Sequence, residues 1–365
     1  MSVEPLPRPP PDLIVRAGLW VRRTIQALAD ALTPPELVML EHMSGVMRTK
    51  LIGAAARLDL AEHLARGPLG APELAARTGV DAAALHRLLR GLAALGVVRS
   101  VGEGRFERTR LLAVLERGRA SASRDFADYW SSRSNVAAWN DYDETLRTGG
   151  GAFARVHGRS VWQWFDDHPD EREAFARAMG GLTTQVAPLV AAHYPWAEVQ
   201  RVCDVGGGRG MLLSELLIHH PHLHGVLCDA PGVIASAESL LAERGVGERV
   251  TRVPGSFFEG IPAGCDAYVL KNILHDWDDP TCARILAGCR AVMKPGARVV
   301  IVELVLEHDS TDLLGTMSDL HMMVVCDDGK ERSRADFTRL LEGAGFRRGR
   351  VWDGALAGIV EGVAV

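Results

Sequence analysis

Apolar positions along this chain follow two regimes. Up to about residue 199 they recur at helical spacing, and from Arg201 onward short apolar runs alternate with helical patterns. The first regime opens with helical patterns over Ile14–Leu32 and Pro35–Leu60, the second of them starting after the helix-start signature Thr33-Pro34. Its stripe of Val46, Leu51, Ala54, Ala55 and Leu58 is too apolar to face water, so it is packed or shared with a partner. Leu60–Leu64 closes one helix and Ala71–Ala75 opens another. Asp81 then caps a third that carries Leu85, Leu88, Leu89, Leu92 and Leu95 and ends at Gly96. Val97–Ser100 and Arg105–Thr109 read as a hairpin around Gly102-Glu103-Gly104. Three helices and a two-stranded wing make a winged helix-turn-helix. Such a module often binds DNA, but its recognition helix turns only Arg87 and Arg90 outward. Ahead of a large nucleotide-fold domain, it serves dimerisation and lid duties more often.

From 121 to 199 the pattern is helical and rich in aromatic residues, with a loop at Gly149-Gly150-Gly151. Most of these rings read as core; a few, with Met179 one turn after Phe175, suit the wall of a pocket for a flat apolar substrate. In the second regime, strands are expected at Val202–Val205, Gly225–Cys228, Val250–Val253, Ala267–Leu270 and Arg298–Val302, with helices between them. That alternation implies a doubly wound parallel sheet covered on both faces. Phe346–Trp352 and Leu356–Val363 are separated by a short turn only, so the last pair should be antiparallel, as in methyltransferase sheets and not in dehydrogenase ones. The expected organisation is a proline-rich disordered arm (1–12), a helical winged-helix domain (13–120), a helical linker that contributes to the substrate pocket (121–199), and a ligand-binding α/β domain (200–365).

Composition narrows the reading a little. Of 365 residues, 47% are apolar and 24% charged, as in an ordinary globular protein, and a net charge of -5 gives no basic field for nucleic acid. No run approaches a membrane span, and the Pro-rich start lacks a signal-peptide core. The six cysteines all lie from Cys203 onward and never form C-x-x-C, which favours buried reduced thiols in a cytoplasmic protein.

The candidate chemistry gathers at the ends of the expected strands. Arg201–Val205 runs into Gly206-Gly207-Gly208-Arg209-Gly210, and a helix follows. Strand, glycine turn and helix cradle a nucleotide-like ligand, because glycine lets the backbone approach closely. Met211 occupies the place of the third glycine of a dinucleotide fingerprint, and Asp204 lies within the strand, positioned to anchor the loop or a ligand ammonium. Asp229, at the end of the next strand, can accept both hydroxyls of a ribose or cap the helix that Pro231 opens. After the third strand, Gly255-Ser256-Phe257-Phe258 offers backbone groups and a ring for stacking on adenine, or forms a plain turn. After the fourth comes Lys271-Asn272-Ile273-Leu274-His275-Asp276-Trp277. A neutral imidazole at His275 is placed to take a proton from a substrate hydroxyl. Glu303 ends the fifth strand and Glu331 precedes Ser333, a helix cap; carboxylates beside His275 would orient its ring and stabilise its protonated form. The histidines at 219, 220, 222 and 224 do not have the look of one metal site, and Asp276, Asp278 and Asp279 suit helix capping better than Mg²⁺.

Taken together, Asp204–Gly210, Asp229-Ala230-Pro231, Gly255–Phe258, Lys271–Trp277 and Gly329-Lys330-Glu331-Arg332-Ser333 resemble, in order and distance, the caffeate or plant-type small-molecule O-methyltransferases, including bacterial members that decorate natural products. The resemblance covers roughly residues 40–365. It implies a class I Rossmann-like methyltransferase domain, with a seven-stranded sheet and an antiparallel last strand, joined to a mostly α winged-helix dimerisation domain. It further implies S-adenosylmethionine as methyl donor and S-adenosylhomocysteine as product, a homodimer, no metal, and neither nucleic acid nor membrane as partner. Carried over, His275 is the general base flanked by Glu303 and Glu331; Asp204, Gly206, Gly207, Gly208, Asp229, Ser256, Phe257 and Lys271 hold the cofactor. Trp130, Phe175, Met179, Asp276, Met322 and Met323 are the pocket candidates for a small aromatic acceptor with a phenolic hydroxyl. The family usually has Gly-Asp where this chain has Gly255-Ser256, and the missing carboxylate weakens the adenine contact by about 1–3 kcal/mol. The rival readings are a relative that uses the same cofactor for hydroxylation or decarboxylation, and a DNA-binding sensor of S-adenosylmethionine.

Overall fold

The computed structural model describes residues 4–118, 122–326 and 328–365; Met1–Val3 of the expected arm and Ser121 at the head of the aromatic stretch lie outside them. Its strands are β1 (Leu69–Gly70), β2 (Val98–Ser100), β3 (Arg105–Arg108), β4 (Arg201–Val205), β5 (His224–Asp229), β6 (Val250–Pro254), β7 (Ala267–Lys271), β8 (Arg298–Glu303), β9 (Phe346–Asp353) and β10 (Gly358–Ala364). The chain divides into two compact units.

One unit comprises residues 17–136 and 169–181. The helix expected over 35–60 is three pieces, Pro35–Met43, Gly45–Arg57 and Leu60–His63. The first break falls at Ser44, whose hydroxyl donates to the Glu41 carbonyl (2.6 Å) and so competes with the helical ladder just before a glycine. The second falls at Asp59, in the left-handed conformation (φ 49°) and tied through its carboxylate to Arg117 and Arg124. Helices Ala71–Thr78 and Ala82–Ala94 follow, the latter capped by Asp81, which accepts from the Ala84 amide (2.7 Å). The wing has three strands in the order β1-β3-β2. The two-residue β1 is too short to leave an alternating pattern. Leu60, Leu64, Leu74, Leu85, Leu89, Leu92, Phe106 and Leu112 close the core of this unit.

The other unit holds residues up to Arg16, 137–168 and 182–365. Its seven-stranded sheet runs β6-β5-β4-β7-β8-β10-β9. Strands β6, β5, β4, β7 and β8 are parallel, and β10 pairs antiparallel with both β8 and β9. The inner strands are apolar on both faces because each face carries its own core. Successive strands run outward from β4 through β5 to β6, and the chain then returns to place β7 on the other side of β4. The topological switch point therefore falls between β4 and β7, where such sheets bind ligands at the carboxyl ends of their strands. Residues 4–11 have no regular structure until Pro11, yet the Leu6 amide donates to Glu215 (2.9 Å) between two prolines that have no N–H to give.

The antiparallel edge contains a β-bulge: Gly349 and Arg350 of β9 face Glu361 of β10. Glu361 is buried, and its carboxylate accepts from the Tyr194 hydroxyl (2.5 Å) and the Arg350 amide (3.3 Å). A Cβ at Gly349 would lie 2.3 Å from that carboxylate. Tyr194→Phe leaves a buried acceptor short of a donor and should lower the unfolding free energy by about 1–3 kcal/mol, read from urea denaturation. An unchanged midpoint would show that the hydroxyl contributes nothing to this edge.

Candidate active site

Two loops meet at the switch point. The first follows β4, where Gly206 and Gly208 adopt φ of 66° and 61°, a region closed to most side chains. The Gly206 amide donates to the Cys228 carbonyl (2.8 Å), and a Cβ on Gly206 would strike Ile273 Cδ1 at 2.5 Å and approach the Phe257 ring at 3.5 Å. Beneath Gly207 lies Asp204: a Cβ there would stand 2.5 Å from the Asp204 carboxyl carbon and 2.6 Å from Leu227 Cδ1. Asp204 is buried, and neither of its oxygens accepts a hydrogen bond of ordinary geometry, the Leu213 amide making only a loose contact. Burial raises its carboxyl to about 7, against the pull of the Lys271 charge. Asp229 clamps the loop from β5, accepting from the amides of Gly208 (2.7 Å) and Ala230 (2.7 Å). Ser256 turns inward to its own loop, accepting from the Phe258 amide (3.2 Å).

The second loop follows β7. Lys271 ends the strand half-buried; burial lowers its ammonium to about 8, against the opposing charges of Asp204, Glu303 and Asp276. Asn272 bends the chain sharply at φ 53°, a conformation that asparagine tolerates better than most residues. The short 3-10 turn Leu274–Asp276 then presents His275. Glu303 holds this turn by its backbone: one carboxylate oxygen accepts from the amides of Ile273 (3.1 Å), Leu274 (2.6 Å) and His275 (3.3 Å). Arg332, wholly buried, holds the carbonyl side, donating to Leu274 (2.6 Å), Trp277 (2.7 Å) and the Asp279 carboxylate (2.8 Å). The Lys330 amide donates to the His275 carbonyl (2.9 Å).

The imidazole itself is oriented by Glu331. Nδ1 of His275 donates to Glu331 Oε1 (3.1 Å), while Nε2 lies 3.5 Å from Asp276 Oδ1. Burial disfavours the imidazolium, but Glu331, Asp276 and Glu303 outweigh it and raise the ring to about 10. Burial likewise raises Glu303 to about 7 and Asp276 to about 6, with the His275 charge opposing both shifts. The two glutamates thus play different parts. Glu331 bonds the ring, whereas no hydrogen bond joins Glu303 to it. The end of β8 aims the Glu303 carboxylate at the amides of the turn instead. One ligand atom each from His275, Glu303 and Glu331 lies within 4.8 Å of the others, close enough for a metal ion. The acids that follow have other partners: Asp278 caps helix Asp279–Val292 through the Thr281 amide (2.8 Å), and Asp279 pairs with Arg332 and Lys330. His219, His220 and His222 each turn a ring nitrogen to a different backbone carbonyl and do not converge.

Met322 and Met323 sit half-buried on helix Leu313–Val325, directly after His321. His321 accepts from Trp139 Nε1 (3.3 Å), and burial with the nearby His275 charge lowers it to about 4. The sequence pattern carries no sign of the roles of His321 or Arg332, because each acts through partners distant in the chain. Trp130, Phe175 and Met179 belong to the other compact unit, with Trp130 beside Phe126 (ring centroids 4.9 Å) and Phe175 edge-on to Tyr129.

Two stretches of the chain match known protein families. Residues 139–347 match the O-methyltransferase domain and residues 40–115 the O-methyltransferase dimerisation domain. The chain is 39% identical to a 3-amino-4-hydroxybenzoate 4-O-methyltransferase of Streptomyces cremeus, over 85% of its own length and 84% of the relative's. It superposes on the crystal structure of LaPhzM with a TM-score of 0.87 at 36% identity, covering 91% of this chain and all of the other. Another similar structure is NcsB1, an O-methyltransferase from neocarzinostatin biosynthesis solved with S-adenosylmethionine and 2-hydroxy-5-methyl naphthoic acid (TM-score 0.77, 33% identity, 87% and 96% covered). With its catalytic domain matched over more than half of its length, the chain belongs to the S-adenosylmethionine-dependent O-methyltransferase family.

Proposed function

We propose that this protein methylates a phenolic hydroxyl of a small, flat natural product inside the cell, as a homodimer and without a metal, with His275 as general base. The observation that carries the reading is His275, on the loop after β7 and bonded to Glu331, across the switch point from the glycine loop after β4. The cradle fits the cofactor: Asp204 offers two buried carboxylate oxygens without hydrogen-bond partners, matched to the ammonium of its methionine end. Gly206, Gly207, Gly208 and Asp229 are assigned to its ribose and methionine portions, and Phe257, Ser256 and Lys271 to its adenine. When bound, S-adenosylmethionine supplies a methyl group on a positively charged sulfur, open to attack by an oxygen nucleophile.

The residues of this chain govern the proton. A phenol with an ordinary pKa near 10 is almost wholly protonated at neutral pH, so its proton must leave as the oxygen attacks. Nδ1 of His275 keeps its hydrogen for Glu331, which leaves Nε2 as the acceptor. Glu303 and Arg332 fix the backbone of the turn, so the ring need not reorganise. Only the neutral ring is a base. Because its pKa is raised above the ordinary 6.5, the active fraction grows as pH climbs, and the acid limb of the rate lies above that value. Met322, Met323 and Asp276 are assigned to the acceptor, and the methionines suit a flat apolar body. Support for the homodimer comes from the apolar side chains of the first helices: Trp20, Ile25, Leu28 and Leu32 are each more than 60% exposed.

His275→Ala is expected to lower turnover by about a hundredfold or more while leaving the affinity for S-adenosylhomocysteine within about twofold. Mass spectrometry of the wild-type product should show the gain of one methyl group; a gained hydroxyl or a lost carboxyl would identify the rival chemistry. Gly207→Ala drives a methyl into Asp204 and Leu227 and should weaken S-adenosylhomocysteine binding by about tenfold or more in calorimetry, whereas unchanged affinity would move the cofactor elsewhere. Dialysis against a chelator should leave turnover intact. Activity that returns only with an added divalent ion would assign His275, Glu303 and Glu331 to a metal instead.

A further inference from the structure

Glu331 is gripped from a second side. Ser318, on helix Leu313–Val325, donates from its hydroxyl to Glu331 Oε1 at 2.7 Å, the same oxygen that accepts from His275 Nδ1 at 3.1 Å. Next to it, Asp319 accepts from the Glu331 amide (2.9 Å), so adjacent residues of one helix fix both the backbone and the side chain of the orienting acid. The other carboxylate oxygen of Glu331 is buried and has no partner among the described residues. All the hydrogen bonding of this side chain therefore passes through one oxygen shared by two donors.

We propose that Ser318 is a positioning residue for the reaction: by occupying part of the oxygen that orients His275, its hydroxyl limits how tightly Glu331 holds the imidazolium. The need for such a limit is visible around the ring. Asp276 and Glu303 add to the pull of Glu331, and all three favour the charged form that cannot act as base. Opposing them are the charges of Lys271, which acts on Asp276, and of Arg332, which acts on Glu303; the His275 charge also acts on His321, and those of Lys330 and Glu331 act on Asp319. A carboxylate oxygen that already accepts a hydroxyl proton has less electron density to offer a second donor. Removing the hydroxyl returns that density to the ring.

The inference rests on the reading of His275 as base, and the test separates the two. In Ser318→Ala the acid limb of kcat should move to higher pH by about half a unit to one unit, with KM for both substrates little changed. Ser318→Thr keeps the hydroxyl and should restore the wild-type profile. Urea denaturation of each variant shows whether folding is intact. Superimposable profiles in a folded Ser318→Ala, or a change confined to KM, would overturn the assignment of Ser318 even if His275→Ala is inactive. Full turnover in His275→Ala would overturn the base reading itself.

Discussion

One carboxylate oxygen sets the geometry on which the site depends. Glu303 Oε1 accepts from three successive amides of residues 273–275, the donors that a short helical turn leaves without partners. A turn at the end of a buried strand has no water to satisfy those groups, so a buried anion takes the place of solvent. That choice obliges the chain to surround the anion. Arg332 answers it from the carbonyl side, and Lys271 stands at the end of β7 nearby. Once the turn is held at both its amides and its carbonyls, the ring of His275 has little freedom left, and Glu331 need only choose its orientation.

The sheet makes this arrangement possible. The return of the chain from β6 to β7 puts the ends of β4 and β7 side by side, so a glycine loop and a histidine turn far apart in sequence open at the same edge. The antiparallel β10 lies against β8, the strand that carries Glu303, and its last pairing in that direction is Gly358 with Glu303 itself. The strand order thus serves the site directly: β8 ends on the acid that holds the His275 turn, inside a sheet buried on both faces.

Much of this was legible in the sequence. The continuous apolar runs of β4, β7 and β8 and the short connection between β9 and β10 pointed to the sheet, since a parallel strand buried on both faces has no polar positions to alternate with. Asp204, Asp229 and Glu303 were legible because they interrupt or end such runs with charge, and His275 because it lies in a polar stretch directly after one. The break at Ser44 was not, because it turns on one hydroxyl bonding back to Glu41 within an otherwise helical stripe. Nor was the division of labour between Glu303 and Glu331, which depends on where each carboxylate points and not on residue type. Arg332 and Ser318 were hidden for a related reason: an arginine and a serine carry no periodicity, and their meaning comes from partners that the fold brings together.

Gly207 and Asp204 show what close packing implies for substitution. The space that a Cβ on Gly207 would need is filled by the Asp204 carboxyl and Leu227, while that carboxyl lies buried with no hydrogen bond of ordinary geometry among the described residues. A larger residue at 207 needs both Asp204 and Leu227 to give way, and a smaller residue at 204 gives up the carboxyl. The two positions are sterically coupled, so a change at either alters the room available to the other.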